Sequence, residues 1–273
     1  MGIDNIEFMK HALDGLAHFL CAGVQQRLEP IRLARAGYAL FAAGCSPRAS
    51  FPGDIIGAYL TETQQMDGGW SDIEETLWCL GYLKTLEGEY NGVVGNGQKW
   101  LASVQLPCGA WGKNNRDQAR ITVTALATVF APELANRESL SWLEQQWEAD
   151  LSSPTQLTYK GAFFLLAQAH SKASCDETLV KRTIAYLSGE QEEDGGFGPW
   201  KGHPLGSDPW STGVVLWGLS KVQLKNSILI FEKALAWLKS KQLPNGLWPY
   251  HYLDHGTAMA LIGISSSLRF TAG

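Results

Sequence analysis

The stretch YLTETQQMDGGW, residues 59–70, recurs three more times in this chain of 273 residues. Each copy begins with an aromatic residue and a leucine, followed by three variable residues and a glutamine. Three more residues and a glycine come next, and a second aromatic residue lies two positions after that glycine. The other copies are WLASVQLPCGAW (100–111), YLSGEQEEDGGF (186–197) and WLKSKQLPNGLW (237–248). A sequence unit repeated at this length predicts a repeated unit of structure.

Each copy contains the signals of a turn between two helices. An apolar-periodic segment ends near the glutamine, Pro, Asn, Asp and Gly residues follow, and a second helical pattern starts after the last aromatic residue. SWLEQQW, residues 141–147, lies in the long gap between the second and third copies and is interpreted as a degenerate fifth copy. Residues 8–24 and 31–44 predict one more helix pair, separated by Pro30.

Six helical hairpins therefore account for the chain. A hairpin of this kind cannot bury its apolar face alone and must stack on its neighbours. We expect an all-α fold, a ring of six hairpins in which inner and outer helices alternate, forming one domain over residues 1–273. The hairpin count permits closure of the ring but does not require it.

Composition restricts the function classes. A net charge of -5 and the lack of any lysine or arginine run argue against a nucleic-acid partner. No stretch is apolar for the roughly 20 residues of a membrane span, and no signal segment is evident, so we expect a soluble cytoplasmic protein. Five scattered cysteines without CxxC spacing favour reduced thiols. Eleven tryptophans suffice to build a core or to line a cavity.

The repeat resembles the QW repeat of the squalene-hopene cyclases and, more loosely, the repeats of protein prenyltransferase β subunits. The resemblance covers residues 54–265 and rests on the four intact copies. It implies an (α/α)6 toroid whose inner helices direct their N-terminal ends toward a central cavity. It also implies that the ligand of this cavity is a small isoprenoid.

One column of residues differs in chemistry between the repeats, as expected of a site. The second helix of each intact copy carries a threonine with a leucine four residues later, on one helix face. These threonines are Thr76, Thr122, Thr212 and Thr257. If they are equivalent, the residues two positions earlier are equivalent too. Those residues are Glu74, Arg120, Trp210 and His255, with Tyr159 as a looser fifth member.

The segment from Asp72 to Thr76, DIEET, resembles the DxDDT motif of class II terpene cyclases with glutamate replacing both later aspartates. The resemblance implies that Glu74 protonates a carbon–carbon double bond or an epoxide, with Asp72 and Glu75 beside it. Clustered carboxylates in a low-dielectric pocket cannot all ionise, so one of them stays protonated. The predicted reaction uses no cofactor and no metal.

His255 is predicted to complete the catalytic group by hydrogen-bonding the carboxylates and returning protons. The carbocations that follow protonation are best stabilised by aromatic faces, which lack nucleophilic atoms. Trp78 shares a helix face with Glu74, and Trp217 shares one with Trp210. The predicted substrate-binding residues are Trp78, Arg120, Tyr159, Trp210 and Trp217.

Three departures from the family pattern bear on this hypothesis. Glutamate is one methylene longer than aspartate, which shifts the point of proton delivery. A buried Arg120 would favour ionised Glu74, or it would hold a substrate diphosphate, as would Arg32, Arg35 or Lys160. The chain is also too short for the second helical domain that usually covers this cavity. Either the substrate is small, or the cavity is covered by a lid. That lid would be a partner protein or the loop 198–210.

Three alternatives stay open at this point. Asp72, Glu74 and Glu75 are also explained as acids that cap a helix and complement its dipole. A toroid without chemistry would bind an isoprenoid or another apolar molecule in its cavity, or act as a scaffold. A zinc-dependent prenyltransferase-like enzyme would use Asp208 and His255 as ligands, although Trp210 occupies the place of the cysteine that completes that site.

Overall fold

A computed structural model describes residues 3–154, 156–171, 176–222 and 228–272. Within these ranges the chain forms twelve α-helices and no β-strand. The helices are α1 (Ile3–Gln25), α2 (Pro30–Ala42), α3 (Gly53–Thr63), α4 (Ile73–Leu83), α5 (Asn91–Ser103), α6 (Ile121–Phe130), α7 (Arg137–Leu151), α8 (Thr158–His170), α9 (Glu177–Gly189), α10 (Pro209–Leu219), α11 (Ile228–Lys241) and α12 (Leu253–Ala272).

The even-numbered helices form a closed inner ring. Each packs against the next in the order α2, α4, α6, α8, α10 and α12, and α12 packs back against α2. Every odd-numbered helix lies outside and packs on at least one inner helix. The all-α toroid predicted from the sequence is therefore confirmed.

Inner helices are apolar on nearly all sides because they have neighbours on every side. In α10 every residue except Trp210 is buried. Glycines allow these helices to approach closely: a Cβ atom added to Gly213 would lie 2.2 Å from the Met259 carbonyl oxygen of α12. One added to Gly263 would lie 2.3 Å from the Gly213 carbonyl oxygen. Backbone therefore packs directly on backbone between α10 and α12.

The repeated glutamine closes each turn and joins it to another outer helix. In the first copy the Gln64 side-chain amide donates to the Gly68 carbonyl at 2.8 Å and to the Val93 carbonyl of α5 at 2.9 Å. In the last copy Gln242 donates to Gly246 and to Phe8 of α1, so this contact links the end of the chain to its beginning. The glutamine of the repeat is thus a connector between hairpins.

The tryptophans that end the repeats are structural. The indole N–H groups of Trp70, Trp111 and Trp248 donate to carbonyl oxygens of the preceding outer helix at 3.2, 2.9 and 2.8 Å. All three side chains are buried. Burial of an indole with its one donor satisfied stabilises each turn without a desolvation penalty.

The threonine contacts correct the sequence alignment of the second copy. The backbone N–H of the last aromatic in each copy donates to the hydroxyl of one inner-helix threonine. These threonines are Thr76, Thr124, Thr212 and Thr257. Thr124, not Thr122, is therefore equivalent to Thr76, and Thr122 rather than Arg120 is equivalent to Glu74.

The degenerate copy also differs from its prediction. Residues 141–147 lie within α7, which continues to Leu151 instead of ending at a turn. The Trp147 indole donates to the Thr183 hydroxyl of α9 at 2.7 Å, so it connects two outer helices. This segment supplies an outer helix to the ring but not the glutamine turn.

Two further sequence expectations concern cysteines and membranes. Cys21, Cys45, Cys79 and Cys108 are free thiols. Cys175 lies outside the described residues. None of the helices in the described ranges combines the length and the apolar character that crossing a bilayer requires.

Candidate active site

A cavity of about 260 Å³ lies inside the ring, and all six inner helices contribute to it. Glu74, Thr122, Tyr159 and Trp210 are each the second residue of their helix, so the cavity lies at the N-terminal ends of the inner helices. Its lining residues are Arg35, Glu74, Trp78, Thr122, Leu126, Tyr159, Phe163, Trp210, Tyr250, His255 and Met259.

The lining is polar on one side and aromatic on the other. Three adjacent helices, α12, α2 and α4, carry His255, Arg35 and Glu74 in that order around the ring. The opposite helices, α6, α8 and α10, present Leu126, Phe163, Tyr159, Trp210 and the small Thr122. Arg35 therefore lies between the candidate acid and the candidate base.

Glu74 is the one carboxylate among the lining residues that the structure describes. Burial raises the pKa of its carboxyl, and the negative charge of Asp72 raises it further, while the Arg35 guanidinium opposes both effects. No described residue forms a hydrogen bond with this carboxyl group. Glu74 therefore holds its proton more strongly than an exposed glutamate does, and its carboxyl group is free to contact a ligand.

Asp72 and Glu75 do not line the cavity, and both cap helices. The Glu75 side chain is 5% exposed and accepts hydrogen bonds from the backbone N–H groups of Ser71 at 3.0 Å and Ile31 at 3.2 Å. Asp72 is the N-cap of α4 and accepts from the Glu75 N–H at 2.8 Å. The capping explanation thus describes these two acids but not Glu74, because neighbouring positions on a helix face different directions.

His255 lies among aromatic rings and is neutral. Its ring makes edge-to-face contacts with Trp210 and Tyr250 at centroid distances of 5.8 and 5.4 Å. Burial, the nearby Arg35 cation and His251 lower its pKa to about 2. The predicted hydrogen bond from His255 to the carboxylates is not observed in the described part of the chain, and α2 lies between α12 and α4 in the ring.

Trp78, Tyr159 and Trp210 line the cavity as predicted. Trp78 is 2% exposed and packs against Phe130 and Tyr38 at 5.0 and 5.9 Å between ring centroids. Tyr159 meets Trp210 edge to face at 5.4 Å. These rings are held in place by their neighbours, so the aromatic wall is pre-organised.

Arg120 and Trp217 lie outside the cavity lining. Arg120 precedes α6 as its N-cap residue, and its Nε atom lies 2.6 Å from a carboxylate oxygen of Asp117. It borders a neighbouring pocket of about 340 Å³ that shares Thr122 and Tyr159 with the cavity. Trp217 is seven residues beyond Trp210, roughly 10 Å further along the helix axis, and is buried in the core.

Six lining residues were not among the predicted site residues, and they are Arg35, Thr122, Leu126, Phe163, Tyr250 and Met259. The sequence alignment of the second copy put Arg120 at the position that Thr122 occupies. Arg35 lies on α2, before the first repeat copy. Tyr250 follows the last copy by two residues and stacks on Trp210 at 5.9 Å with the planes 8° apart. A search for aromatic residues just beyond each repeat would have found Tyr250, whereas Arg35 had no pattern to mark it.

The predicted lid segment 198–210 forms a compact loop beside α8. The Thr158 hydroxyl donates to the Gly198 carbonyl at 2.6 Å, and the Asp208 N–H donates to the Phe197 carbonyl at 3.0 Å. Trp210, the last residue of the segment, lines the cavity. A lid function for the rest of the segment stays a prediction.

Asp208, the other residue of the zinc hypothesis, caps α10. Its two carboxylate oxygens accept hydrogen bonds from the N–H and the hydroxyl of Ser211, each at 2.7 Å. Across the described residues, no three His, Cys, Asp or Glu side chains are grouped closely enough to hold a metal ion.

Comparisons with known proteins agree with this architecture. No protein-family model matches the sequence, and no functionally curated protein matches it. Type II terpene cyclase MstE from Scytonema, solved as a variant with its substrate geranylgeranyl dihydroxybenzoate, matches with a TM-score of 0.76 at 14% identity, over 98% of this chain and 100% of that one. The chain shares the fold of a type II terpene cyclase.

Two further solved structures show the same likeness. An MstE variant in complex with its product, merosterolic acid A, matches with a TM-score of 0.70 at 15% identity, over 100% of this chain and 99% of that one. A protein from Actinoplanes matches with a TM-score of 0.69 at 16% identity, over 88% of this chain and 90% of that one. At these identities the likeness shows the fold, and function must be argued from the site.

Proposed function

We propose that this protein is a class II, proton-initiated cyclase of a linear isoprenoid or an isoprenoid-bearing metabolite, with Glu74 as the general acid. One observation carries the proposal: a carboxyl group with a raised pKa and no hydrogen-bond partner among the described residues lies in a cavity lined largely by aromatic and apolar side chains. The fold shared with a type II terpene cyclase supports it.

The chemistry begins with proton transfer from Glu74 to one carbon of a double bond. The proton forms a C–H bond, the neighbouring carbon becomes cationic, and the Glu74 carboxylate is left behind. Remaining double bonds of the chain attack the cation in turn and form ring C–C bonds. Loss of a proton from carbon ends the sequence, so the product is an isomer of the substrate.

His255 is the candidate for that last step. Its pKa of about 2 keeps the ring neutral, with a nitrogen lone pair available. A carbocation is a far stronger acid than imidazolium, so even a weak base accepts its proton. The burial that weakens His255 as a base also prevents it from taking the Glu74 proton before the substrate binds.

The aromatic wall supplies stabilisation for the intermediate cations. The Trp210 and Tyr250 rings are stacked, and Tyr159 and Trp78 face the same cavity. A desolvated cation over an aromatic face gains about 2 kcal/mol. Exclusion of water is equally necessary, because water would quench the cation.

The extent of the match to MstE agrees with this function. The chain spans the whole of the solved MstE chain, whose bound substrate carries a geranylgeranyl group. The cavity of about 260 Å³ is close to the lower end, roughly 300 Å³, of typical ligand pockets. The adjoining pocket, which shares Thr122 and Tyr159, extends the room available to a longer substrate.

Product analysis tests the proposal. Purified protein is incubated with farnesyl and geranylgeranyl diphosphates, squalene and geranylgeranyl dihydroxybenzoate, beside a Glu74→Gln variant, and the products are identified by mass spectrometry. A cyclic isomer of one substrate that is absent with the variant is the expected result. Binding of a fluorescent prenyl analogue by both proteins, with no product from any substrate, would instead favour the non-catalytic isoprenoid-binding toroid.

A further inference from the structure

Arg35 is a buried cation without a hydrogen-bond partner among the residues that the structure describes. Its side chain is 5% exposed, and its Nε–H is enclosed and unpaired. None of its five N–H donors reaches an acceptor in the described residues, and its guanidinium carbon lies 5.9 Å from the Trp78 ring centroid. An unpaired buried charge is costly, so this arrangement points to a partner that occupies the cavity.

The carboxylates nearest to Arg35 do not fill that role. Asp254 of α12 is 1% exposed, and Arg32 already holds it with an Nη2–Oδ1 distance of 2.7 Å and two Nε contacts of 3.2 Å. Glu74 of α4 acts on Arg35 only through its charge, with no hydrogen bond or close ion pair between them, and His255 is neutral. Arg35 therefore has no directly bonded anion among the described residues.

We propose that Arg35 binds the carboxylate of an isoprenoid acid in this cavity. The proposal rests on the proposed function and narrows its substrate class. A guanidinium matches a carboxylate with two parallel hydrogen bonds, and both groups carry a single charge. A diphosphate carries more negative charge than one cation balances, and Arg35 is the one Lys or Arg among the lining residues that the structure describes.

A bound carboxylate also removes a conflict within the proposed reaction. The free Arg35 cation would repel a carbocation in the same cavity, and it favours ionised Glu74 over the protonated acid. A carboxylate on Arg35 neutralises the charge and removes both effects. Substrate binding would thereby prepare Glu74 for proton transfer.

Matched ligands test the proposal without turnover. Geranic and farnesoic acids and their methyl esters are titrated against the intact protein by tryptophan fluorescence, with geranyl diphosphate as a further ligand. Wild type is expected to bind at least one acid about ten- to a hundredfold more tightly than its ester, as charge-assisted hydrogen bonds allow. Arg35→Met should remove this preference while keeping affinity for the ester, and Arg35→Lys should keep part of it. Arg182→Met, a matched change on the outer helix α9 that lines neither the cavity nor the adjoining pocket, should keep all of it.

Several results would overturn the proposal. Equal affinity of wild type for acid and ester, no binding of either acid, or tighter binding of the diphosphate that depends on Arg35 would each do so. A preference that survives in a folded Arg35→Met protein, with folding checked by circular dichroism, would do the same. Acid preference without any cyclic product would leave the Arg35 site intact while removing the proposed cyclase function, so the two failures are distinguishable.

Discussion

At the residue scale, Glu74 and Glu75 show how one position on a helix separates two roles. Glu75 turns toward backbone N–H groups of α2 and of its own helix start, while Glu74 lines the cavity. The two side chains point about 100° apart around the helix axis. A sequence that places acids at both positions does not by itself say which one enters the site.

Shortening the acid tests whether the cavity is built for glutamate. Glu74→Asp keeps the carboxyl group but withdraws it by about 1 Å, and a displacement of that size costs roughly 100-fold in rate. We expect turnover reduced by about this factor with an unchanged melting temperature, because Glu74 has no hydrogen-bond partner to lose among the described residues. Steady-state product formation and thermal melting are the measurements. Undiminished turnover in Glu74→Asp would contradict a fixed point of proton delivery at Glu74.

The pH profile follows from the shifted groups. The pKa of Glu74 is raised in the folded protein, and the donor is its protonated form, so the rate should fall as pH rises through that raised pKa. By the same linkage, stability relative to Glu74→Gln should fall over the same window, because the buried carboxyl is charged above it. His255, with a pKa of about 2, should add no limb between about pH 4 and pH 9. Rates and melting temperatures across that range check both statements, and a rate that rises with pH would exclude Glu74 as the acid.

At the element scale, the helix ends explain two acids that resemble a catalytic motif. Glu75→Ala should remove the acceptor for two partly buried hydrogen bonds from backbone N–H groups and lower the free energy of unfolding by about 1–3 kcal/mol. Glu193→Ala, at an exposed glutamate, is the matched control and should change it by less than about 0.5 kcal/mol. Chemical denaturation measures both. Equal stability of the two variants would show that Glu75 does not hold α2 and α4 together.

Arg120 was wrongly aligned with Glu74 because the connection before α6 is longer than the one before α4. The paired aromatic and threonine are six residues apart at Trp70 and Thr76 but thirteen apart at Trp111 and Thr124. The longer connection hides the start of α6, and two threonines in its first turn offer competing alignments. The helix register after a loop of variable length depends on which threonine hydroxyl accepts the hydrogen bond from the turn. The spacing of residues in the sequence does not show which threonine that is.

At the scale of the whole molecule, the repeated turns predicted the alternating helices, because each copy fixes the same hydrogen bonds. Closure of the ring depends on contacts between residues far apart in the chain, such as Gln242 with Phe8 and Gly213 with Met259. For the same reason, the sequence did not distinguish Arg35 from the other cations considered as diphosphate ligands. Arg35 stands out only in the folded structure, where no hydrogen-bond acceptor among the described residues lies within reach of its guanidinium group.

Close contact between α10 and α12 should make the ring sensitive to one added methyl group. Gly213→Ala would place a Cβ atom 2.2 Å from a backbone oxygen, and overpacking of this kind costs about 1–3 kcal/mol or more. Gly95→Ala in α5 meets no atom within 4 Å and should stabilise by about 0.5–1 kcal/mol through helix propensity. Denaturant titrations compare the two, and equal effects would contradict direct backbone packing at Gly213.

The central claim is that Glu74 starts cyclisation by donating a proton that exchanges with solvent. The most direct measurement is the mass of the cyclic product formed in deuterium oxide, beside a Glu74→Gln control. We expect one deuterium retained per product molecule at the initiating carbon and no product from the variant. Product of unchanged mass, or equal product from Glu74→Gln, would contradict it.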